Sequence, residues 1–293
     1  CPDPSDGGPK GKGSLPQGRA DPRSERMRWY IPFLKSPPRV SVVRLHGPIG
    51  AGGQFGSGLN DATLEPLIER AFRRGRPVAV ALVINSPGGS AAQSSLIAAR
   101  IRRLAEERQI PVHAFVEDVA ASGGYWLATA ADDIWLDPTS MVGSIGVIAA
   151  GFGLQDLIAR HGVERRVHTA GKSKNFLDMF RPEKPEEVER LRGLLDQLHD
   201  TFKTHVRGRR GAKLSDEIDL FTGEIWVGAE AVRLGLADGI AHAMPKLKAL
   251  YGDKVQLVPF GLRKPFLRRL GAEIGSSALS GVEERAIWSR YGL

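Results

Sequence analysis

The chain has 293 residues, of which 42% are apolar and 25% are charged, and it carries a formal net charge of +8. This apolar content can supply a sizeable core and excludes a wholly disordered chain. The single cysteine, Cys1, excludes an internal disulfide and a cysteine-based metal cluster, so the fold needs no oxidising compartment.

The positive charge lies mainly near the two ends of the sequence. Residues 1–40 hold eight Lys and Arg against four Asp and Glu, and residues 261–293 hold six against three. The residues between them are left with a net charge of +1. A nucleic-acid groove needs clustered cations on the folded body. We therefore expect no nucleic-acid partner.

Residues 1–38 are predicted to be a disordered basic extension, because Pro, Gly, Ser and charged residues dominate its first part. The longest uncharged stretch, residues 138–155, contains four glycines and falls short of a membrane span. The N-terminus has no apolar run typical of a signal peptide. We expect a cytoplasmic protein whose basic ends allow peripheral contact with an anionic inner-membrane surface.

From residue 39, short β-branched runs alternate with amphipathic helical runs, which predicts an α/β domain over residues 39–250. Strands are predicted at residues 40–45, 78–85, 112–116, 134–136 and 165–169. Helices are predicted at residues 64–72, 91–108, 123–131, 154–160, 185–202 and 229–234. The apolar stripe of the helix at 185–202 indicates core or a subunit contact. Residues 251–293 are predicted to be a basic tail with a terminal helix.

Several familiar site motifs are absent. The glycines after residue 46 lack the third position of a dinucleotide fingerprint, and Gly171-Lys-Ser lacks the first glycine of a phosphate loop. The seven histidines form no metal-binding spacing, and no Gly-x-Ser-x-Gly nucleophile motif occurs. We expect no metal ion and no cofactor.

Ser122 is the best candidate for a nucleophile. It lies between Ala-Ala and Gly-Gly at a predicted strand-to-helix turn, where small neighbours leave its hydroxyl accessible. The N–H of Gly123 begins that helix, and Gly88 and Gly89 follow the buried strand that should lie next to it. These amides predict an oxyanion hole with two donors.

The base is less evident, since no histidine has a comparable small-residue setting. A lysine can serve when its neutral amine is populated. Lys172 and Lys174 both follow the strand predicted at residues 165–169, in a Gly/Ser turn that can reach across a cleft.

Four ordered motifs carry a family resemblance: Asn-Ser-Pro-Gly-Gly-Ser from residue 85, Val-Ala-Ala-Ser-Gly-Gly-Tyr from 119, Val-Gly-Ser-Ile-Gly-Val from 142 and Thr-Ala-Gly-x-x-Lys from 169. Together, over about residues 39–245, they resemble the S49 family of serine peptidases, which includes signal peptide peptidase A, protein C and SohB types. The resemblance implies a ClpP/crotonase-like fold with repeated ββα units. It also implies a Ser-Lys dyad of Ser122 and Lys174, with Lys172 the weaker candidate.

The resemblance further implies that Ser144 orients the lysine and that Gly123 and the Gly88-Gly89 turn hold the oxyanion. Relatives often have a proline before the phenylalanine that follows the lysine, where this chain has Met179 before Phe180. The implied substrate is an apolar or extended peptide such as a signal-peptide remnant. Half-length relatives assemble into rings, so a ring-like homo-oligomer is expected.

Two other functions fit the same sequence. A crotonase-like acyl-CoA hydratase or isomerase would use the oxyanion hole without a nucleophile, and would need paired carboxylates near it; Glu117 and Asp118 lie on the preceding strand. A non-catalytic family member would bind membrane proteins, although the presence of Ser122 and Lys174 argues against it.

Overall fold

A computed structural model describes residues 37–50, 58–171, 173–261, 288–289 and 291–292. The chain divides into two compact units, Cys1–Ser36 and Pro37–Leu293, and the described residues all belong to the second. The predicted extension at residues 1–38 therefore lies almost entirely outside the described residues, as does most of the predicted terminal helix.

An eight-stranded sheet forms the centre of the described unit. Its strands are β1 (Arg39–His46), β2 (Ala79–Ser86), β3 (Val112–Ala121), β4 (Asp133–Leu136), β5 (Met141–Gly143), β6 (Ile225–Val227), β7 (Gly239–Ile240) and β8 (Gln256–Phe260). The main order is β6-β5-β3-β2-β1-β8, with β4 lying between β3 and β7. All pairs are parallel except β5 with β6. The α/β class is confirmed.

Strand β3 joins two parts of the sheet. Its first half, from His113 to Val116, pairs with β4, and its last three residues pair with β5. The register with β2 shifts between Ile84 and Ser86, where the two halves meet. Beyond this shift Ser86 of β2 pairs with Ala120 of β3, so Ser122 lies beside the turn that follows β2.

Seven α-helices are described between residues 37 and 261: α1 (Asp61–Arg73), α2 (Ala91–Arg108), α3 (Gly123–Ala128), α4 (Gln155–Arg160), α5 (Pro185–Arg210), α6 (Gly228–Arg233) and α7 (Ala243–Tyr251). Asn60 caps α1 by accepting the N–H of Thr63 at 3.0 Å, and Ser90 caps α2. Among the described residues, no helix is both long and apolar enough to cross a bilayer.

The core lies mainly on one face of the sheet. Every residue of β2 is buried, as its unbroken apolar run predicts. The largest cluster joins this strand to the apolar stripe of α1, which includes Leu64, Leu67 and Phe72. A smaller cluster on the other face includes Phe115 and Leu247 of α7.

The largest differences from the sequence prediction lie in residues 165–169 and in the predicted tail. Residues 165–169 form no strand, and all five are exposed. Val167 has charged neighbours in the sequence, is 42% exposed and has no apolar layer to pack against. Conversely, β8 lies within residues 251–293, the predicted tail, and pairs with β1. Its Gln-Leu-Val-Pro-Phe sequence is only partly buried at the sheet edge, which is why its apolar pattern is weak.

Candidate active site

One cavity of about 610 Å³ collects five of the predicted site residues, Ser122, Gly123, Ser144, Gly88 and Gly89. The cavity opens where β2 and β3 end. No Asp, Glu, Lys or His occurs among the described residues that line it. The paired carboxylates that an acyl-CoA hydratase would need are therefore not found in this lining.

Ser122 occupies a strained turn between β3 and α3. Its backbone has φ 51° and ψ −120°, a conformation that a residue with a side chain rarely adopts and that costs about 1–3 kcal/mol. Its N–H donates to the carbonyl of Gly143 at 2.8 Å, and its carbonyl accepts from Trp126 N–H at 3.0 Å. It stands at the N-cap position of α3 without making a side-chain cap bond. Its hydroxyl is thus left available to the cavity.

The turn after β2 packs directly against this serine. A Cβ on Gly88 would stand 2.9 Å from both Ser122 Cβ and Gly123 N, and one on Gly89 would stand 1.9 Å from the carbonyl oxygen of Ile49. Both glycines also have positive φ, 99° and 141°. The Pro-Gly-Gly sequence is therefore required by close approach as well as by backbone conformation.

Two amide groups at this junction have no acceptor among the described residues, Gly89 N–H and Gly123 N–H. They are neighbours, because Gly89 N lies 3.4 Å from the place a Gly123 Cβ would occupy. Gly88 N–H, by contrast, donates to Ser86 Oγ at 3.3 Å. Free N–H donors beside a hydroxyl have the chemistry that stabilises an oxyanion.

Ser144 reaches the cavity from the loop after β5. It has φ 51°, and its N–H donates to the carbonyl of Glu224 at 2.6 Å. His199 of α5 donates from Nε2 to the carbonyl of Ile145 at 3.0 Å. This contact ties the loop to α5, and sequence analysis did not identify it because it joins residues far apart in the chain.

Helix α5 supplies the apolar wall of the cavity through Leu195, Leu198 and Phe202. The predicted apolar stripe thus marks a site wall, although only Phe202 of these three is fully buried. Phe202 stacks on Trp126 of α3, with ring centroids 4.9 Å apart. Nothing in the local pattern identified Trp126, since this contact depends on how α5 crosses α3.

His205 packs behind the same tryptophan, with ring centroids 4.4 Å apart. Thr129 Oγ1 donates to the carbonyl of Trp126 at 2.7 Å and accepts from His205 Nε2 at 2.9 Å. Burial, with a smaller effect from the neighbouring Arg209, lowers the pKa of His205 to about 4. The ring is therefore neutral at ordinary pH and serves as a flat apolar support.

Tyr291 also lines the cavity, and its hydroxyl donates to the carbonyl of Pro87 at 3.4 Å. This residue lies in the segment predicted as a basic tail with a terminal helix. Its position beside the Pro-Gly-Gly turn adds one polar group to the cavity rim.

Lys174 does not line the cavity, and its side chain is exposed. It lies in residues 147–184, here called the Lys174 segment, of which no described residue is buried. Its backbone N–H donates to the carbonyl of Gly171 at 3.3 Å. Lys172, the weaker candidate, lies outside the described residues. One chain therefore brings together Ser122, Ser144 and the amide donors, but not Lys174.

The loop that carries Lys174 is nevertheless well fastened. Arg181 donates to the carbonyl of Asn175 and, at 2.6 Å, to the carboxylate of Glu187 at the start of α5. Glu187 also accepts the N–H of Leu177 at 3.2 Å. These bonds hold the loop in one shape relative to α5.

The described residues contain no group of three His, Cys, Asp or Glu side chains that could hold a metal ion. The chemistry available at the cavity is that of a hydroxyl beside backbone donors.

The chain is similar to several known proteins. The family model for peptidase family S49 matches residues 105–250. A Synechocystis protein named "Putative protease slr0021" is 30% identical over 89% of this chain and 95% of its own length. A solved structure of a mutant 1510-N membrane-bound stomatin-specific protease covers 78% of this chain and all of its own, with a TM-score of 0.48 at 15% identity.

Two further relatives are much longer proteins. The chain is 46% identical over 87% of its length to a Brucella melitensis protein named Na(+)/H(+) antiporter NhaA, and 31% identical over 86% to the chloroplastic serine protease SPPA of Arabidopsis thaliana. The matches cover only 37% and 39% of those proteins. With the family match and the near full-length Synechocystis relative, the motifs around Ser122 identify this chain as a member of peptidase family S49.

Proposed function

We propose that this chain is a serine endopeptidase in which Ser122 is the nucleophile and Lys174 the base. The observation that carries the proposal is the single cavity that holds Ser122, its strained turn and the two free amides of Gly89 and Gly123. A nucleophile needs an accessible hydroxyl and donors for the oxyanion, and this cavity offers both.

The reaction proceeds through an acyl-enzyme. The neutral amine of Lys174 takes the proton of Ser122 while Oγ bonds to the carbonyl carbon of the scissile peptide. Gly123 and Gly89 donate to the resulting oxyanion, a choice favoured over Gly88 because Gly88 N–H already has an acceptor. The ammonium then gives its proton to the leaving amine as the C–N bond breaks. Water, deprotonated by the same amine, hydrolyses the ester.

Ser144 orients the lysine in this proposal. Its hydroxyl makes no hydrogen bond with the described residues, and it lines the same cavity as Ser122. An amine entering the cavity would therefore find a free hydroxyl beside it.

A second copy of the chain brings Lys174 to the cavity in the proposed homo-oligomer, a ring-like assembly. The Lys174 segment supports this proposal because some of its apolar side chains lack cover within one chain: Ile148 is 69% exposed and Phe152 is 79% exposed. Apolar surface of this kind, beside a site that lacks its base, is what a contact between copies would bury.

Mixing two inactive variants tests where the base comes from. Ser122→Ala and Lys174→Ala proteins, each inactive alone, are mixed under conditions that exchange subunits, and casein cleavage is measured. A base supplied by a neighbouring copy predicts recovery of up to about a quarter of wild-type activity. An oligomer that exchanges subunits yet recovers nothing would instead place Lys174 on the same chain as its serine.

The substrates we propose are apolar or extended peptides such as signal-peptide remnants. The apolar wall of Trp126, Leu195, Leu198 and Phe202 supports this choice, because it offers burial for an apolar side chain next to Ser122.

We also propose that the peptidase works in peripheral contact with a membrane. In the Brucella relative, a segment similar to this chain makes up 37% of a protein named as an ion antiporter. A peptidase segment within such a protein would be held at a membrane.

A non-catalytic role is the second candidate, favoured by the lack of a base among the described residues that line the cavity. Labelling with a fluorophosphonate probe separates the two. A peptidase is labelled and cleaves casein, and Ser122→Ala abolishes both, while Ser173→Ala, an exposed serine of the Lys174 segment, leaves both unchanged. A folded wild-type protein that is never labelled would establish the non-catalytic role.

A further inference from the structure

Five arginines cluster at the end of the sheet opposite the active-site cavity. Arg39 begins β1, Arg70 and Arg73 lie in the last turn of α1, and Arg74 and Arg76 follow that helix. All five are exposed. The start of β1 lies beside the loop that follows α1, since the carbonyl of Arg39 accepts the N–H of Val78, two residues after Arg76, at 2.8 Å. We call these five residues the arginine patch.

The arginine patch has no internal counter-charge. None of its members has a carboxylate within ion-pair distance among the described residues. Several other arginines on the same body are paired, among them Arg100 with Asp61, Arg103 with Glu107 and Arg233 with Glu217. A body whose net charge is close to zero therefore carries a local positive field at this end, and such a field attracts an external anion.

A cavity of about 380 Å³ opens within the arginine patch, lined by Arg39, Arg70 and Arg74 together with Ser41 and residues 258–261 of β8 and its end. Guanidinium groups bind phosphate oxygens with paired donors. The space and the donors suit a phosphate group.

We propose that the arginine patch docks on an anionic membrane surface, with a phospholipid headgroup phosphate in this cavity. The proposal rests on the peripheral membrane contact proposed above and assigns the surface that makes it. In the sequence, residues 1–36 hold seven Lys and Arg against four Asp and Glu, and residues 262–293 hold six against three. This charge has the sign that an anionic surface attracts.

Nucleic acid fits this surface less well. Single-stranded nucleic acid is held by aromatic side chains that stack on successive bases. Among the described residues of the cavity, the one aromatic ring is that of Phe260, which is partly buried in the sheet edge. A headgroup needs only the phosphate contacts that the arginines provide.

Docking through the arginine patch would also set the distance between the membrane surface and the active site. Strand β1 starts in the arginine patch and runs eight residues toward the cavity that contains Ser122. At about 3.3 Å per residue the strand spans about 23 Å. The site would therefore face peptides that have left the bilayer, rather than segments still within it.

Vesicle sedimentation tests the proposal on the full chain. Vesicles of phosphatidylcholine, with or without about one third phosphatidylglycerol, are mixed with the wild type and with a variant that carries Gln at Arg39, Arg70, Arg73 and Arg74. The matched control carries Gln at four exposed arginines elsewhere, Arg103, Arg160, Arg192 and Arg233. We expect binding only to anionic vesicles, a fall of at least about tenfold in partitioning for the patch variant, and little change for the control.

Equal losses in both variants, or no loss in either, would overturn the proposal, because charge in general or the flanking sequences would then explain binding. Displacement by low concentrations of inorganic phosphate would assign the cavity to a free anion instead. A patch variant that loses binding to RNA but still binds anionic vesicles would assign the cavity to nucleic acid. Casein cleavage in solution should be unchanged in the patch variant, so vesicle binding without cleavage would contradict the proposed function and leave the docking surface standing.

Discussion

The Ser122 turn and the Lys174 segment are the two halves of the proposed site, and they are built in opposite ways. Every residue of α3, which follows Ser122, is buried, and its neighbours allow no room for a Cβ at Gly88, Gly89 or Gly123. No described residue of the Lys174 segment is buried, and α4 within it has no buried side chain. The Ser122 turn is tightly packed within its own chain, whereas the Lys174 segment is held to α5 by hydrogen bonds and has no apolar layer over it. If the proposed roles hold, this difference means that the nucleophile Ser122 is preorganised and that the position of the base Lys174 depends on what covers the segment.

Removing the lysine should separate catalysis from stability most clearly. Lys174→Ala is expected to lower kcat by about a thousandfold or more, because the serine loses its base. The melting temperature should not change, since the side chain is exposed. Casein cleavage and thermal unfolding are the measurements, with Lys184→Ala as an exposed control. Activity near that of wild type in Lys174→Ala would remove the lysine from the mechanism.

A substitution in the buried turn after β2 should lower catalytic activity and stability together. Gly89→Ala would force a Cβ against Ile49 and strain a residue at φ 141°, so kcat should fall by about 10²–10³ and unfolding should become easier by about 2 kcal/mol. Gly193→Ala, in α5 with open space around it, should instead stabilise the protein by about 0.5–1 kcal/mol. Denaturant unfolding and casein cleavage of both variants check the contrast. A Gly89→Ala protein with full activity would show that the turn after β2 holds no oxyanion.

A smaller effect, on the dependence of stability on pH, is expected at His205, which stacks on Trp126. The folded pKa of His205 is about 4, below its ordinary value of 6.5, so the unfolded chain binds this proton more readily. The stability it contributes is complete above about pH 6.5 and is lost as the pH falls toward 4. His205→Phe keeps the stacking and should flatten the dependence of Tm on pH across that window by a few degrees. His161→Phe, an exposed control, should not. Identical curves for wild type and His205→Phe would place this proton elsewhere.

The sequence predicts the preorganised half far better than the exposed half. The unbroken apolar run of β2, the small residues around Ser122 and the Pro-Gly-Gly turn all depend on near neighbours in the chain, and the structure places them as expected. Strand β8 was missed because an edge strand needs little apolar pattern. Trp126 and His199 were missed because their roles arise where α5 crosses distant elements.

In the Lys174 segment the sequence predicts a strand that the structure does not contain. Residues 165–169 were predicted as a strand from their local propensity, and the structure gives them no partner among the described residues. Propensity alone does not stabilise a strand that lacks a neighbour and an apolar layer. What a second copy would contribute in the proposed homo-oligomer is not encoded in any local pattern.

In the proposed mechanism Ser122 is the nucleophile and Lys174 activates it. The most direct test maps the site of fluorophosphonate labelling by mass spectrometry as the pH is raised. We expect one adduct, on Ser122, that forms faster as the amine loses its proton, and a labelling rate in Lys174→Ala that is low at every pH. An adduct on another residue, or equally fast labelling of Ser122 in Lys174→Ala, would contradict it.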